Sequence, residues 1–178
     1  MKKTMKLFFV GLFMITSVNV ATAQSYKMGI GAVVGMMNGV SFKAFFSENF
    51  ALKADLAYKY TIAATNVDGM HFYGGANTFE LNPNFIYQKN ITSFGVGNLD
   101  WYAGGGVSIG MAFAHYGYVY GSAIAGKFGT NAIGGVELKF NFPLAIDFDF
   151  RPGYGLTFRN GTGSYFDWAI TASARYCF

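Results

Sequence analysis

The stretch Phe50-Ala-Leu-Lys-Ala-Asp-Leu-Ala-Tyr-Lys-Tyr-Thr-Ile62 decides how this chain is read. Phe50, Leu52, Ala54, Leu56, Tyr58, Tyr60 and Ile62 fall on one side of it. Ala51, Lys53, Asp55, Ala57, Lys59 and Thr61 fall on the other. A period of two is the signature of a β-strand, whose successive side chains point to opposite faces, and differs from the 3.6-residue period of a helix. The same rhythm returns in Leu144, Ile146, Phe148 and Phe150, interleaved with Asp147, Asp149 and Arg151. It returns again in Trp168, Ile170, Ala172, Ala174, Tyr176 and Phe178, interleaved with Thr171, Ser173, Arg175 and Cys177. Each segment has an apolar, aromatic-rich face and a polar face that carries charge.

Alternation alone leaves open which face is buried, because a soluble β-sandwich or barrel alternates as well. Composition weighs against the soluble alternative. The chain is 52% hydrophobic and 19% aromatic but only 12% charged, against roughly 25% charged in ordinary soluble domains. Few charges would remain to cover a water-exposed surface. Past the amino terminus no apolar run reaches the roughly 20 residues that a spanning helix needs. Within a bilayer only helices and closed barrels satisfy every backbone N–H and C=O, so a barrel is expected. The alternating segments run about ten residues or more, as tilted membrane strands do, and aromatics gather near their ends, as at membrane interfaces.

The amino terminus supplies a route to a cell envelope. Lys2, Lys3 and Lys6 precede an apolar run from Leu7 to Ile15, and Ala21-Thr22-Ala23 precedes Gln24. A basic head, a short apolar centre and small residues two apart form the pattern of a secretory signal peptide. Residues 1–23 are therefore expected to be a leader cut after Ala23, with Ala21 and Ala23 at the cleavage site. Gln24 to Phe178 would remain as one barrel domain. Three lysines leave with the leader, so the 13 Lys+Arg of the precursor become 10, against 9 Asp+Glu. A near-neutral mature chain offers no basic patch for nucleic acid.

Eight antiparallel strands are expected, over about 26–36, 40–47, 50–62, 77–88, 99–113, 130–141, 144–158 and 165–178. Ser47-Glu48-Asn49 and Asn141-Phe142-Pro143 read as tight turns. Residues 63–76, 114–129 and 159–164 read as Gly-containing loops on the outer side, the first two being the candidate surfaces for an extracellular partner. Two features fit this alternation of short and long connections poorly. The connection near Met37-Asn38-Gly39 is short, and the one from Lys89 to Asn98 is long.

With the apolar faces turned to lipid, the interior receives Lys43, Lys53, Asp55, Lys59, Glu80, Asp100, Glu137, Lys139, Asp147, Asp149, Arg151, Asp167 and Arg175. These are seven acids and six bases. An eight-stranded barrel is only wide enough for side chains to fill it. Near-balanced charges are therefore expected to pair across neighbouring strands and stop the lumen. A proton or ion path is the functional alternative, and it would favour a surplus of one sign.

Asp147 and Asp149 share a face, as paired carboxylates for acid/base work or metal binding would, but Arg151 follows on that face and neutralisation is expected. His71 and His115, each flanked by apolar residues in a predicted loop, lack the adjacent Ser of a hydrolase and the three or four ligands of a metal site. Cys177 is the only cysteine, so an internal disulfide is excluded. Gly104-Gly105-Gly106 and Gly134-Gly135 lack the Lys-Ser/Thr that follows a phosphate cradle. Within strands they suit close approach in a curved sheet. Trp101 and Trp168 suit interface anchors. No catalytic residue, cofactor or metal is assigned.

The ending Arg175-Tyr176-Cys177-Phe178 resembles the closing strand of Gram-negative outer-membrane barrels, which finish in Phe with an aromatic two residues earlier. That resemblance implies that Tyr176 and Phe178 are read by the barrel-assembly machinery. Size, strand count and leader are similar to the small transmembrane barrels typified by outer-membrane proteins A and X. The run Pro143-Leu-Ala-Ile-Asp-Phe-Asp-Phe-Arg151-Pro152 looks like a strand of a widespread outer-membrane β-barrel class. The resemblance implies an outer-membrane location with lipid as the surrounding partner and says little about activity. A non-enzymatic structural or surface-interaction role is the leading expectation. A small-solute or lipid-handling channel, an outer-membrane lipid hydrolase and a secreted soluble lipid-binding barrel stand as alternatives.

Overall fold

A computed structural model describes residues 26–67, 70–115, 122–158 and 162–178. The expected leader and its cleavage site at Ala21 and Ala23 lie outside the described residues. Eight strands follow one another: β1 (Met28–Gly35), β2 (Asn38–Phe45), β3 (Phe50–Val67), β4 (Met70–Phe94), β5 (Gly97–His115), β6 (Ser122–Phe140), β7 (Leu144–Phe158) and β8 (Thr162–Cys177). Each pairs antiparallel with the next, and β8 returns to β1, so the sheet closes into a barrel. Closure removes the free edges that a bilayer would leave without hydrogen bonds.

The register sets the tilt. From Val33 the paired residues run through Gly39, Ala57, Glu80, Gly110, Lys127 and Thr157 to Gly163, whereas Val33 itself faces Ser173. The ten residues from Gly163 to Ser173 are the stagger of the closed sheet, and closure of this kind tilts strands by about 35–45°. Phe50 and Tyr60, ten residues apart on β3, are both exposed. Ten residues rise about 33 Å along a strand, or about 25 Å along the axis at that tilt, the height of the apolar band of outer-membrane barrels. Exposed aromatics mark both limits. Phe46, Phe50, Trp101, Phe142 and Phe178 lie towards the termini, and Tyr60, Phe79, Phe128, Tyr154 and Phe166 lie towards the other end. Phe50 meets Tyr87 at 5.3 Å and Tyr87 meets Trp101 at 5.8 Å, while Tyr58 meets Phe79 at 5.3 Å.

The orientation of the faces is unambiguous. Leu56, Phe85 and Phe148 are 59%, 67% and 56% exposed, whereas Lys53, Asp55 and Glu137 are fully enclosed. The lumen also takes apolar groups. Val33, Met37, Ala57 and Ala169 form one buried cluster, and Ala51, Ile86, Tyr102 and Ile133 form a second.

Several expected boundaries need correction. Segments 63–76 and 114–129 are largely strand, since Ala63 pairs with Gly74 and Val67 with Met70, and His115 with Ser122. Only residues 68–69 and 116–121 separate those strands. The segment 159–164 likewise gives Thr162, Gly163 and Ser164 to β8. His71 and His115 therefore sit on strands and not in loops. Glycine hides these strands in the sequence, because it ends a flat soluble strand more readily than a strongly curved barrel strand. The long connection expected from Lys89 to Asn98 is mostly strand as well. β4 runs to Phe94 with an irregularity between Asn90 and Thr92, and only Gly95 and Val96 turn. The β1–β2 connection is short, as expected. Gly35 adopts φ of 126°, open to glycine at little cost, and its N–H and C=O both bond the Asn38 side chain.

Two prolines interrupt the wall. Pro83 pairs with Ala54 on β3, but the β4–β5 ladder skips Asn82 and Pro83. Pro152 pairs with Trp168 on β8, and the β6–β7 ladder skips Arg151 and Pro152. Proline has no N–H to give. Both gaps thus flank the β5–β6 hairpin, one on each side.

Candidate functional site

Register dictates how the luminal charges must be satisfied. Lys43 on β2 faces Lys53 on β3, and Glu137 on β6 faces both Asp100 on β5 and Asp147 on β7. Like charges thus lie side by side around the wall, which is unfavourable for direct neighbours. Relief comes from across the barrel. Lys43 Nζ donates to Glu137 Oε2 at 2.9 Å, joining β2 to β6. Lys53 Nζ donates to Asp147 at 2.8 Å and Asp149 at 2.6 Å, joining β3 to β7. Arg151 approaches Asp55 at 2.5 Å, joining β7 back to β3. The expectation of pairing between neighbouring strands holds for Lys139 with Asp100 (β6 to β5) and Arg175 with Asp147 (β8 to β7), but not for these pairs, which cross the lumen. In a narrow lumen a long Lys or Arg side chain reaches the opposite wall, and the wall beside it carries its own sign.

The pairs occupy successive levels of the lumen. At the end nearer the termini, Lys139 meets Asp100 at 2.6 Å, and Gln88 donates to both Asp100 and Glu137 at 2.8 Å. Tyr26, just ahead of β1, donates its phenol to Glu137 at 2.6 Å. Burial and then the Glu137 carboxylate push that phenol well above its ordinary pKa, so it remains a donor. Arg175 bridges Glu137 and Asp147 and also donates to Ser41 at 3.1 Å.

In mid-barrel Arg151 donates to both oxygens of Asp149, at 2.6 and 2.9 Å. Tyr102 and Thr171 donate to the same carboxylate at 2.9 and 2.8 Å. At the far end Lys59 pairs with Asp167 and donates to the Trp168 carbonyl at 2.9 Å. Lys127 pairs with Glu80 and reaches Asp167 at 3.1 Å.

All thirteen sequence-predicted inward charges thus enter ion pairs, in two groups: Lys59, Glu80 and Asp167 with Lys127 at the far end, and the other ten linked with one another through Gln88. Lys127 was missed because it fell in an expected loop. Carrying the alternation Phe128, Thr130, Ala132, Gly134, Val136 backwards through the glycines would have turned it inward. Tyr26, Gln88, Tyr102, Asn82, Ser108 and Asn131 were also missed, since uncharged polar residues give no face signal on their own. Ser108 donates to Asn82 at 2.7 Å and Asn131 donates to Ser108 at 3.0 Å, beside the ladder gap at Pro83. The void bordered by Lys59, Asn82, Ser108, Asn131 and Asp167 measures about 30 Å³, room for about one water.

Asp147 and Asp149 share the Lys53 ammonium, and each also pairs with an arginine, Asp147 with Arg175 and Asp149 with Arg151. Among the described residues no cluster of His, Cys, Asp or Glu could hold a metal ion. His71, on β4, pairs through the backbone with Asn66, and His115, at the end of the neighbouring β5, pairs with Gly75 and Ser122. Cys177 is buried, its thiol directed at the Arg175 carbonyl at 3.6 Å. Trp101 and Trp168 are partly exposed on the outer surface. Phe178 closes β8 against the start of β1 through reciprocal bonds with Met28, at 2.9 and 3.0 Å, and its ring stacks with Tyr176 at 6.4 Å.

No family model and no curated protein matches the chain. Solved structures do. Neisserial surface protein A superposes with a TM-score of 0.50 at 14% identity, over 85% of this chain and 93% of that one. Ail, the attachment invasion locus protein of Yersinia pestis, superposes with a TM-score of 0.43 at 15% identity, over 84% of this chain and 96% of that one. Closure, strand number and register, together with the first of these likenesses, give the chain the fold of the small eight-stranded outer-membrane barrels.

Proposed function

We propose that the mature chain is an integral protein of a Gram-negative outer membrane. It is a non-enzymatic barrel whose interior is stopped by its own paired charges and whose role lies in structure and surface contact. One observation carries this reading: apolar side chains cover the outside while Lys53, Asp55, Glu137 and Arg175 are sealed within. A water-soluble barrel needs the reverse. The two aromatic levels, spaced for an outer-membrane band, support the same location, and so does the leader pattern ending at Ala21 and Ala23. Tyr176 and Phe178 serve as the assembly signal. Contacts with an extracellular partner fall to the β3–β4 and β5–β6 hairpin ends, where 63–76 and 114–129 lie, because these strands outrun the β1–β2 hairpin.

The test is fractionation with gel mobility before and after boiling. Recovery in the outer membrane and a heat-dependent shift are expected; a detergent-free soluble protein with no shift refutes the proposal. Planar bilayers separate the stopped barrel, which passes no steady current, from a channel. Unchanged lipid turnover in His71→Ala and His115→Ala is expected, and its loss would instead indicate a hydrolase.

A further inference from the structure

β1 and β2 are the shortest strands of the ring, eight residues each, and the wall is notched above their turn. The β1–β8 ladder stops at Gly35–Thr171 and the β2–β3 ladder at Asn38–Tyr58, yet β8 begins at Thr162 and β3 continues to Val67. Above the turn two strand edges therefore face each other across the place of two strands, roughly 14 Å apart. Allowing for the tilt, the aromatic level marked by Tyr60 and Phe166 stands roughly 6 Å above Met36 along the axis. The turn thus ends inside the apolar band.

The backbone around the notch floor is tied up by the chain itself. Met36 donates its N–H to the Ile170 carbonyl at 3.1 Å. The Asn38 side chain holds the N–H and C=O of Gly35, at 3.3 and 3.1 Å. Even-numbered residues of β8 direct their backbone groups to β1, as Phe178 does to Met28 and Ile170 to Met36. Trp168 is the next in that series, beyond the end of the β1 ladder. Its carbonyl accepts from the Lys59 ammonium of β3 at 2.9 Å, and its N–H donates to the Asp167 carboxylate at 2.8 Å. Lys59 also pairs with Asp167, so one lysine clasps β3 to β8 across the notch. Water would satisfy an edge N–H and C=O unaided; hydrocarbon leaves that to side chains. On the outer face Tyr58 and Tyr60 flank one side, Trp168 and Phe166 the other, and Met36 the floor, all of them exposed.

We infer that an outer-leaflet lipid fills this notch, its acyl chains standing on Met36 between the tyrosines of β3 and the aromatics of β8. The inference rests on the membrane reading above and adds to it a fixed seat for lipid. Exposed Val34 and Val40 carry the lipid-facing wall up to that floor, so the seat continues a surface already in contact with acyl chains. A strand from a second copy would find the Trp168 backbone groups already taken. The Lys59–Asp167 clasp is the inner wall of the seat. It keeps the chains out of the lumen, where the void bordered by Met37, Lys59 and Asp167 lies.

The test uses the mature barrel in phosphatidylcholine vesicles whose acyl chains carry bromine, a contact quencher of tryptophan. Trp101→Phe and Trp168→Phe clear the background, and heat-dependent mobility verifies folding. Met36→Trp then reports the notch, and Phe148→Trp reports the wall near mid-height. Met36→Trp should lose emission to bromine near the glycerol end of the chains, and acrylamide in the water should not reach it. Quenching by acrylamide in place of bromine puts water in the notch and overturns the inference. Protection from both quenchers puts polypeptide there and overturns it equally. Phe148→Trp untouched by bromine at every position along the chains would instead sink the membrane reading.

If Met36→Trp does not fold, Met36→Cys with Cys177→Ser takes its place. A water-soluble maleimide should label that thiol in the unfolded protein but not in the vesicle-embedded barrel. Rapid labelling of the embedded barrel refutes the lipid seat.

Discussion

Replacing Glu137 by Gln removes one negative charge from the most heavily engaged carboxylate of the lumen. Glu137 is fully enclosed and takes bonds from Lys43, Tyr26, Gln88 and Arg175. The loss falls unequally on these partners. Arg175 keeps Asp147 and Gln88 keeps Asp100. Lys43, itself fully enclosed, has no other carboxylate partner among the described residues. Stranding one member of a buried ion pair costs about 3–5 kcal/mol, because the desolvation of the survivor is no longer offset.

Glu137→Gln should therefore lose that amount, whereas Lys43→Met should lose only about 1–2 kcal/mol, since Glu137 retains Arg175 and its neutral donors. The double variant relieves the stranded ammonium, so it should be about 2 kcal/mol more stable than Glu137→Gln alone. The assay is reversible denaturant unfolding in lipid vesicles, followed by the emission of Trp101 and Trp168, the two tryptophans of the chain. A double variant less stable than Glu137→Gln, or a single variant within about 0.5 kcal/mol of wild type, would refute the argument that Lys43 and Glu137 hold each other across the lumen.

Three further outcomes follow from the wall. Phe148→Arg puts a charge on the lipid face near mid-height and should cost about 2–4 kcal/mol in the same unfolding assay; a cost near zero would turn that face away from lipid. Gly106→Ala should abolish the heat-shifted folded band, because a Cβ there would lie 1.9 Å from the Pro83 carbonyl oxygen, which is backbone and cannot swing aside. A folded, heat-shifted Gly106→Ala protein would show that β4 and β5 are further apart than described. Hydrogen exchange should release the amides beside the proline gaps, at Val107–Ser108 and Ala132–Ile133, before those of Lys53–Leu56, and equal protection would mean that the ladders are continuous there.

Much of the fold was readable in Phe50–Ile62, Leu144–Phe150 and Trp168–Phe178, where large apolar and charged residues alternate without interruption. The alternation is harder to follow where glycine and small residues dilute it, as on β6 between Ser122 and Gly135. There the sequence shows a shorter strand than the structure has, and Lys127 falls beyond its expected start. A side chain of no volume leaves no mark of which face it occupies, although the backbone continues the ladder regardless. The same holds for Asn82, Ser108 and Asn131, whose inward placement depends on neighbours two residues away.

Periodicity by itself determined that the chain is β, that its two faces differ and that its charges share one face, because a period of two is a local property of a pleated backbone. The partner of each charge was beyond that reach. Lys43 finds Glu137 ninety-four residues away, and it does so because the ten-residue stagger and eight-strand closure bring β2 and β6 to opposite walls of a lumen narrow enough for a lysine to cross. Stagger and closure arise from all the strand pairings together, so the three-dimensional ring, not any one segment, decides which charges meet.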